Sequence, residues 1–174
     1  PFLEYSNHQY KAMKNAYAGH LKYSFQLRPH TVADQAYIGA YQGIGVGYFN
    51  FGNPEELGNP LAVYLFQGGR IAQFSPRISL NYEWNFGASF GWKPYDEYDN
   101  PENQIIGSKV NAYLNVNLYL KWALSPKFDL MIGATGSHFS NGNTQYPNSG
   151  LNTVDCKVGL VYNFNRRADE LVQS

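Results

Sequence analysis

The sequence predicts an all-β fold, namely an eight-stranded antiparallel transmembrane β-barrel. Two observations predict it: long segments in which apolar and polar residues alternate, and Gly/Pro-rich or very short stretches between them. The alternation is clearest where one face carries Ile78, Leu80, Tyr82, Trp84, Phe86, Ala88, Phe90 and Trp92. A period of two is the pattern of a strand with one apolar face.

Seven strands are predicted, near residues 20–28, 37–50, 60–69, 77–93, 107–122, 128–141 and 152–164. The longest exceed the ~5–6 residues usual in soluble strands and the ~9–11 residues that cross a bilayer. We therefore expect the apolar face to meet lipid and the polar face to fill the barrel. Bacterial barrels have even strand numbers and no open edge in lipid, which predicts an eighth strand within residues 1–10, at Phe2-Leu3-Glu4-Tyr5.

The connections between the predicted strands differ in length. Residues 51–60 and 94–104 form long polar loops, residues 69–76 a shorter connection and residues 124–127 a tight turn. Outer-membrane barrels carry their longer loops at the outer end. We expect Trp84 and Trp92 to anchor the barrel at the membrane interfaces. Inside it, we expect Glu83 and Asp129 to pair with Arg77, Lys93, Lys109 and Lys121.

Composition favours a single domain over residues 1–174, with a polar tail at residues 165–174. The formal net charge is zero, which gives no electrostatic basis for binding nucleic acid. Hydrophobic residues make up 44% of the chain although mean hydropathy is −0.43, as expected for strands that are apolar on one side. The sequence contains neither an apolar run long enough for a membrane-spanning helix nor an N-terminal signal sequence, so we expect a mature or trimmed chain. The single cysteine, Cys156, is expected to be buried and inert.

Three residues near the ends of the last two strands combine a nucleophile, a base and an orienting amide. His138 and Ser140 are two positions apart and so share one face of a strand, roughly 6–7 Å apart at Cα. Asn152 continues the apolar face of the following strand. Such a set predicts a serine hydrolase facing lipid, with Ser140 as nucleophile, His138 as general acid and base, and Asn152 orienting the imidazole.

The neighbouring residues are candidates for binding substrate. Asn141 and the backbone N–H of Gly142 are candidate oxyanion donors, and Asn143 and Asn148 are further substrate-binding candidates. No metal site follows from the scattered histidines, and no cofactor is predicted. The acidic run at residues 96–102 is interpreted as a solvated outer loop; it is compatible with a divalent cation, which is not predicted.

The pattern His138-x-Ser140-Asn141 followed by Pro147-Asn148-x-Gly150 resembles the lipid A 3-O-deacylase (PagL) family. Residues 52–59 and 106–111 also look like elements of that family in acyloxyacyl hydrolase-like proteins. The resemblance implies an eight-stranded outer-membrane barrel of a Gram-negative bacterium that hydrolyses an ester-linked acyl chain of lipid A. It implies lipid A or lipopolysaccharide in the outer leaflet as the partner.

One residue departs from that family, whose characterised members have a glutamate where Asn152 stands here. The outer membrane phospholipase A family instead uses His-x-Ser-Asn-Gly followed by an asparagine, a pattern that His138, Ser140, Asn141, Gly142 and Asn152 also resemble. Phospholipase A barrels are larger, so chain length favours the deacylase. The alternatives are hydrolysis of glycerophospholipid, or a catalytically silent barrel with a structural or interaction role.

Overall fold

The protein forms one antiparallel β-sheet in the computed structural model, which describes residues 15–26, 39–164 and 166. Neighbours along the chain are neighbours in the sheet. The strands are β1 (Tyr17–Gln26), β2 (Tyr41–Asn50), β3 (Gly58–Ser75), β4 (Ile78–Trp92), β5 (Val110–Ala123), β6 (Phe128–Ser140) and β7 (Leu151–Tyr162). The predicted all-β antiparallel fold is confirmed. Within the described ranges, no helix has the length and apolar character needed to span a membrane.

Two predicted features are not found in the described sheet: the eighth strand and the connection at residues 69–76. The eighth strand, predicted within residues 1–10, lies outside the described residues and stays a prediction. The predicted connection at residues 69–76 is wrong, because β3 continues to Ser75 and turns into β4 through Pro76 and Arg77 alone. Register shifts between Arg70 and Ala72 and between Gln73 and Ser75 let the β3–β4 pairing continue through this stretch.

The sheet exposes apolar side chains on its outer face and buries polar side chains on its inner face, the reverse of a soluble protein. On β5, Val116 is 65% exposed whereas the next residue, Asn117, is 2% exposed. The same alternation runs along the strand, with outward apolar residues at Val110, Ala112, Leu114, Val116, Leu118 and Leu120. Soluble folds bury such residues. The outer wall of the sheet is therefore apolar and its concave interior is polar.

A buried carboxylate joins distant strands across the interior. Glu83, on β4, is 3% exposed and forms ion pairs with Lys22 of β1 and Lys157 of β7. The Tyr41 hydroxyl donates to the same carboxylate at 3.1 Å. Since β1 and β7 are the first and last strands of the described sheet, these contacts show that the sheet curls until its two ends face one carboxylate.

The partners predicted for the two interior carboxylates are therefore wrong. Glu83 pairs with Lys22 and Lys157, and Asp129 pairs with Arg166 at 2.7 Å, rather than with Arg77, Lys93, Lys109 or Lys121. Alternation identifies which side chains point inward but not which of them meet across the interior, because that depends on how the sheet curls.

An aromatic cluster fills the interior at the end where β6 finishes. Phe139 is fully buried there, and its ring lies 5.0–5.6 Å from those of Phe49, Phe51, Trp92 and Tyr113. The prediction that Trp92 anchors the barrel from outside is wrong, because Trp92 is only 4% exposed. Gly91 adopts a φ of +87°, which interrupts the alternation and turns Trp92 inward. Trp84 does lie outward, 44% exposed.

The longer described loops lie at this same end of the sheet. They are residues 51–57, 93–109 and 141–150, whereas residues 76–77 and 124–127 form short turns at the other end. Asn103, fully buried, holds the middle loop: its side chain donates to the Lys93 and Glu56 carbonyls and accepts from the N–H groups of Ile105 and Ile106. We call this end of the sheet the loop rim.

Replacing Glu83 tests the interior ion pairs. Glu83→Gln keeps the shape of the side chain but leaves Lys22 and Lys157 without a counter-charge, so we expect the free energy of unfolding to fall by about 3 kcal/mol. Chemical denaturation followed by tryptophan fluorescence measures this change. The matched control is Glu97→Gln in the exposed loop 93–109, expected to change stability by less than about 0.5 kcal/mol. Equal stability of both variants would contradict a role for Glu83 in holding the sheet.

Candidate active site

The register of three strands brings the predicted site residues to one place at the loop rim. His138 on β6 lies directly opposite Asn152 on β7 and, on its other side, opposite Leu114 on β5. Ser140 lies opposite Ala112. Leu114 is 44% exposed on the outer wall, so His138 shares the outward apolar face with it.

The three polar side chains form a continuous hydrogen-bonded chain. His138 Nδ1 lies 2.7 Å from Asn152 Oδ1, and His138 Nε2 lies 3.0 Å from Ser140 Oγ. An amide oxygen only accepts, so Nδ1 carries the proton that is donated to Asn152. Nε2 is then left with a lone pair, which accepts the hydroxyl proton of Ser140. This is the tautomer that a general base needs to activate a serine.

The backbone beneath these residues is held from inside the sheet. Phe139, between His138 and Ser140, packs inward in the aromatic cluster, and Leu151, just before Asn152, is also fully buried. Ser137 faces inward too and accepts a hydrogen bond from Asn115 at 2.8 Å. Each polar side chain of the site thus stands next to an anchored inward neighbour, which limits its freedom to move.

Sequence reasoning gave Gly150 no role of its own, although the residue lies against the histidine. Its φ is +71°, and a Cβ built on it would be 3.2 Å from His138 Cε1 and 3.3 Å from the Phe139 carbonyl oxygen. A side chain at this position would therefore press on the imidazole. The sequence signals were a glycine between a loop and a strand, which by itself indicates a turn, and the place of Gly150 in the family-like pattern Pro147-Asn148-x-Gly150.

The predicted substrate-binding residues are largely engaged in the loop 141–150. The Asn141 N–H donates to Asn148 Oδ1 at 3.2 Å, and the Asn141 side chain donates to the Gln145 carbonyl at 2.8 Å. Asn148 Nδ2 donates to Asn143 Oδ1 at 3.3 Å. Among the hydrogen bonds of the described residues, none uses the N–H of Gly142, whose φ is +63°. Gly142 thus keeps a free backbone donor two positions after Ser140.

The other sequence candidates lie apart from this place. Cys156 is exposed, so the prediction of a buried thiol is wrong: its stripe faces outward, away from the interior. In the part of the chain that the structure describes, no three His, Cys, Asp or Glu residues are grouped as metal ligands. In the acidic loop, the Tyr98 and Asp99 N–H groups donate to Asp96, which lowers the pKa of that carboxyl group.

A hydroxyl and an imidazole joined to a third, orienting group form the arrangement that serine hydrolases use, and the third group in this chain is an amide. Here it lies on the outward face of a curled antiparallel sheet. The chain belongs to the lipid A 3-O-deacylase (PagL) family, whose family model matches residues 2–161. The members of this family are deacylases of the bacterial outer membrane. No curated protein and no solved structure matches the chain in the two other comparisons.

Enlarging Gly150 tests the contact with His138. We expect Gly150→Ala to lower kcat for a chromogenic acyl ester by about 10²-fold, because a displaced imidazole loses its alignment with Ser140. The control is Gly39→Ala, at another positive φ of +69°, where the new Cβ would meet only Arg70 Cβ at an ordinary 3.7 Å. The control separates backbone strain from the contact with histidine. Unchanged kcat in Gly150→Ala would show that the imidazole tolerates the added methyl group.

Proposed function

We propose that this protein is an outer-membrane serine esterase that removes an ester-linked acyl chain from lipid A in a Gram-negative bacterium. The observation that carries the proposal is the hydrogen-bonded chain from Ser140 through His138 to Asn152, on an apolar outward wall, in a member of the PagL family. An ester bond of a membrane lipid lies at the boundary between acyl chains and head group. A nucleophile on the wall near the loop rim suits that depth.

We further propose that the sheet closes into an eight-stranded transmembrane barrel. Among the described strands, β1 and β7 are not paired with each other, although both send a lysine to Glu83. A strand within residues 1–10 would close the gap, and closure satisfies the backbone groups that an open edge would leave unpaired in lipid. The apolar outer wall and polar interior support this arrangement.

In the proposed reaction, His138 Nε2 takes the hydroxyl proton of Ser140 while Oγ bonds to the acyl carbonyl carbon. The resulting oxyanion accepts a hydrogen bond from the Gly142 N–H, with Asn141 as second candidate donor. The ester C–O bond then breaks, and His138 returns the proton to the departing lipid oxygen. Water, deprotonated by the same nitrogen, then attacks the carbonyl carbon of the acyl-serine. The bond from that carbon to Ser140 Oγ breaks, and His138 returns the proton to Oγ as the fatty acid leaves. Asn152 accepts from Nδ1 throughout and keeps the imidazole in the required tautomer.

One observation favours a second candidate function. The third member of the site is the amide Asn152, and the set His138, Ser140, Asn141, Gly142 and Asn152 resembles the pattern of outer membrane phospholipase A. Hydrolysis of a glycerophospholipid is therefore the rival proposal, with the same Ser140 chemistry.

The substrate is tested by incubating the purified protein in detergent micelles with lipid A and, separately, with phospholipid, and following released products by mass spectrometry. We expect loss of one acyl chain from lipid A, reduced at least ~10³-fold in Ser140→Ala. Ala112→Ser is the matched control, since it puts a hydroxyl on the strand position opposite Ser140 without removing the nucleophile. Lysophospholipid as the main product would favour the rival, whereas equal products from wild type and Ser140→Ala would indicate a catalytically silent barrel.

The role of Asn152 has a separate test. Asn152→Ala removes the acceptor that fixes the tautomer, so we expect kcat to fall by about 10²-fold. Asn152→Asp restores an acceptor and should recover part of the rate. The control is Val154→Ala, the next outward residue on β7. If Asn152→Ala retained full activity in the lipid A assay, the third position would have no part in catalysis.

A further inference from the structure

Two loops of the rim line a shallow, open groove beside the candidate active site. Loop 93–109 meets loop 141–150 around an open groove of about 470 Å³. Its lining residues are Tyr95, Gln104, Tyr146, Pro147, Asn148 and Ser149. This volume is in the range of small-molecule sites, ~300–1,000 Å³. None of these residues belongs to the hydrogen-bonded chain of Ser140, His138 and Asn152.

We propose that this groove binds one sugar unit of the lipid substrate and so selects a glycolipid over a phospholipid. This inference rests on the proposed function, since it names the head-group site of the same esterase. Tyr95 and Tyr146 offer aromatic rings with an apolar face, and Gln104 offers its side-chain amide. Asn148 and Ser149 already donate within the loops, but they keep a second amide hydrogen and the lone pairs of the hydroxyl. A sugar ring presents the matching combination, C–H groups on one face and hydroxyl groups around its edge.

The charge of the lining argues for a sugar and against a phosphate diester. The six lining residues include no Lys, Arg or His. A phosphate carries a full negative charge, and protein sites for it use Arg, Lys or clustered backbone N–H groups. The amide and hydroxyl groups of this groove suit neutral hydroxyl partners instead.

The groove is held in shape by a contact between its two loops and by one within loop 93–109. The Ser149 hydroxyl donates to the Gln104 carbonyl at 3.0 Å across the two loops, and the Tyr95 N–H donates to the Ile106 carbonyl at 2.8 Å within loop 93–109. A Cβ on Gly107 would lie 2.7 Å from the Pro147 carbonyl oxygen, so the backbones of the two loops are in direct contact there. A preformed groove needs little ordering when it binds, which favours affinity.

The groove is also connected to the catalytic serine. Asn148, in its lining, accepts the N–H of Asn141, the residue after Ser140. Gly150, two positions beyond Asn148, contacts His138. A lipid whose acyl ester lies at Ser140 on the outer wall would have its head group near the loop rim, whose loops line the groove.

Tyr146 is the residue to change, because its side chain is 78% exposed and its removal should not disturb the fold. We expect Tyr146→Ala to raise KM for lipid A about 5- to 10-fold, the loss expected of one aromatic contact. Hydrolysis of a p-nitrophenyl ester, which has no sugar, should be unchanged. Tyr146→Phe keeps the ring and should retain most of the affinity. The matched control is Tyr98→Ala, another tyrosine of loop 93–109, 87% exposed and outside the groove lining.

The outcomes separate the groove from the esterase proposal. An equal loss on both substrates, or no change in KM for lipid A, would overturn the sugar site. A wild type inactive on both esters would overturn the esterase, and the groove is then judged by binding alone. For that purpose, fluorescently labelled lipid A in detergent micelles is titrated with Ser140→Ala and with Ser140→Ala/Tyr146→Ala. Weaker binding by the double variant supports the sugar site, and equal binding overturns it.

Discussion

The ion pairs of Glu83 are the interaction on which the shape of the sheet depends. The carboxylate lies on the central strand β4 and binds lysines from β1 and β7, so three strands that are far apart in the sheet converge on one point. A buried carboxylate without partners would cost several kcal/mol, and the lysines remove that cost only if the sheet curls far enough to bring them in. The curl of the sheet meets this requirement, while the apolar convex wall follows from the alternation of residues along each strand.

Between Glu83 and the loop rim, the interior changes from polar to aromatic side chains, and the aromatic side chains position the candidate active site. Towards the loop rim, aromatic rings replace the amides and charges, with Phe139 packed among Phe49, Phe51, Trp92 and Tyr113. Phe139 packs edge to face against three of these rings and stacks on Tyr113, and such close packing leaves little free volume and holds the backbone of β6 in place. His138 and Ser140 flank Phe139 and face the other way. The rigid interior packing thus positions the hydrogen-bonded side chains of the site on the outer wall, where few neighbouring side chains could hold them.

Much of the fold and the core of the candidate site could be predicted, because both depend on a period of two. Alternation identified the strands and the outward face, and the spacing of His138 and Ser140 placed them on that face. Trp92 was predicted wrongly because Gly91 adopts a positive φ and breaks the alternation. A glycine can adopt this conformation, but its presence in a sequence does not show that it does. The partners of Glu83 and the contact of Gly150 with His138 could not be predicted, because both arise from how loops and distant strands approach in space.

The asparagine at the third position agrees with the place where the site lies. A carboxylate there would hold the imidazole more strongly, but on the lipid-facing wall that we propose it would be poorly solvated, and an ionised group in an apolar medium is costly. The Asn152 amide carries no charge, yet its oxygen, 2.7 Å from His138 Nδ1, still fixes the proton on that nitrogen. The amide therefore gives up some stabilisation of the imidazolium and avoids the desolvation of a charge. On this reasoning, Asn152 and the glutamate that the family resemblance leads one to expect are two solutions for an esterase that takes its substrate sideways from a membrane, as we propose here. The neutral rim groove would then leave selection of the head group to hydrogen bonds and ring contacts.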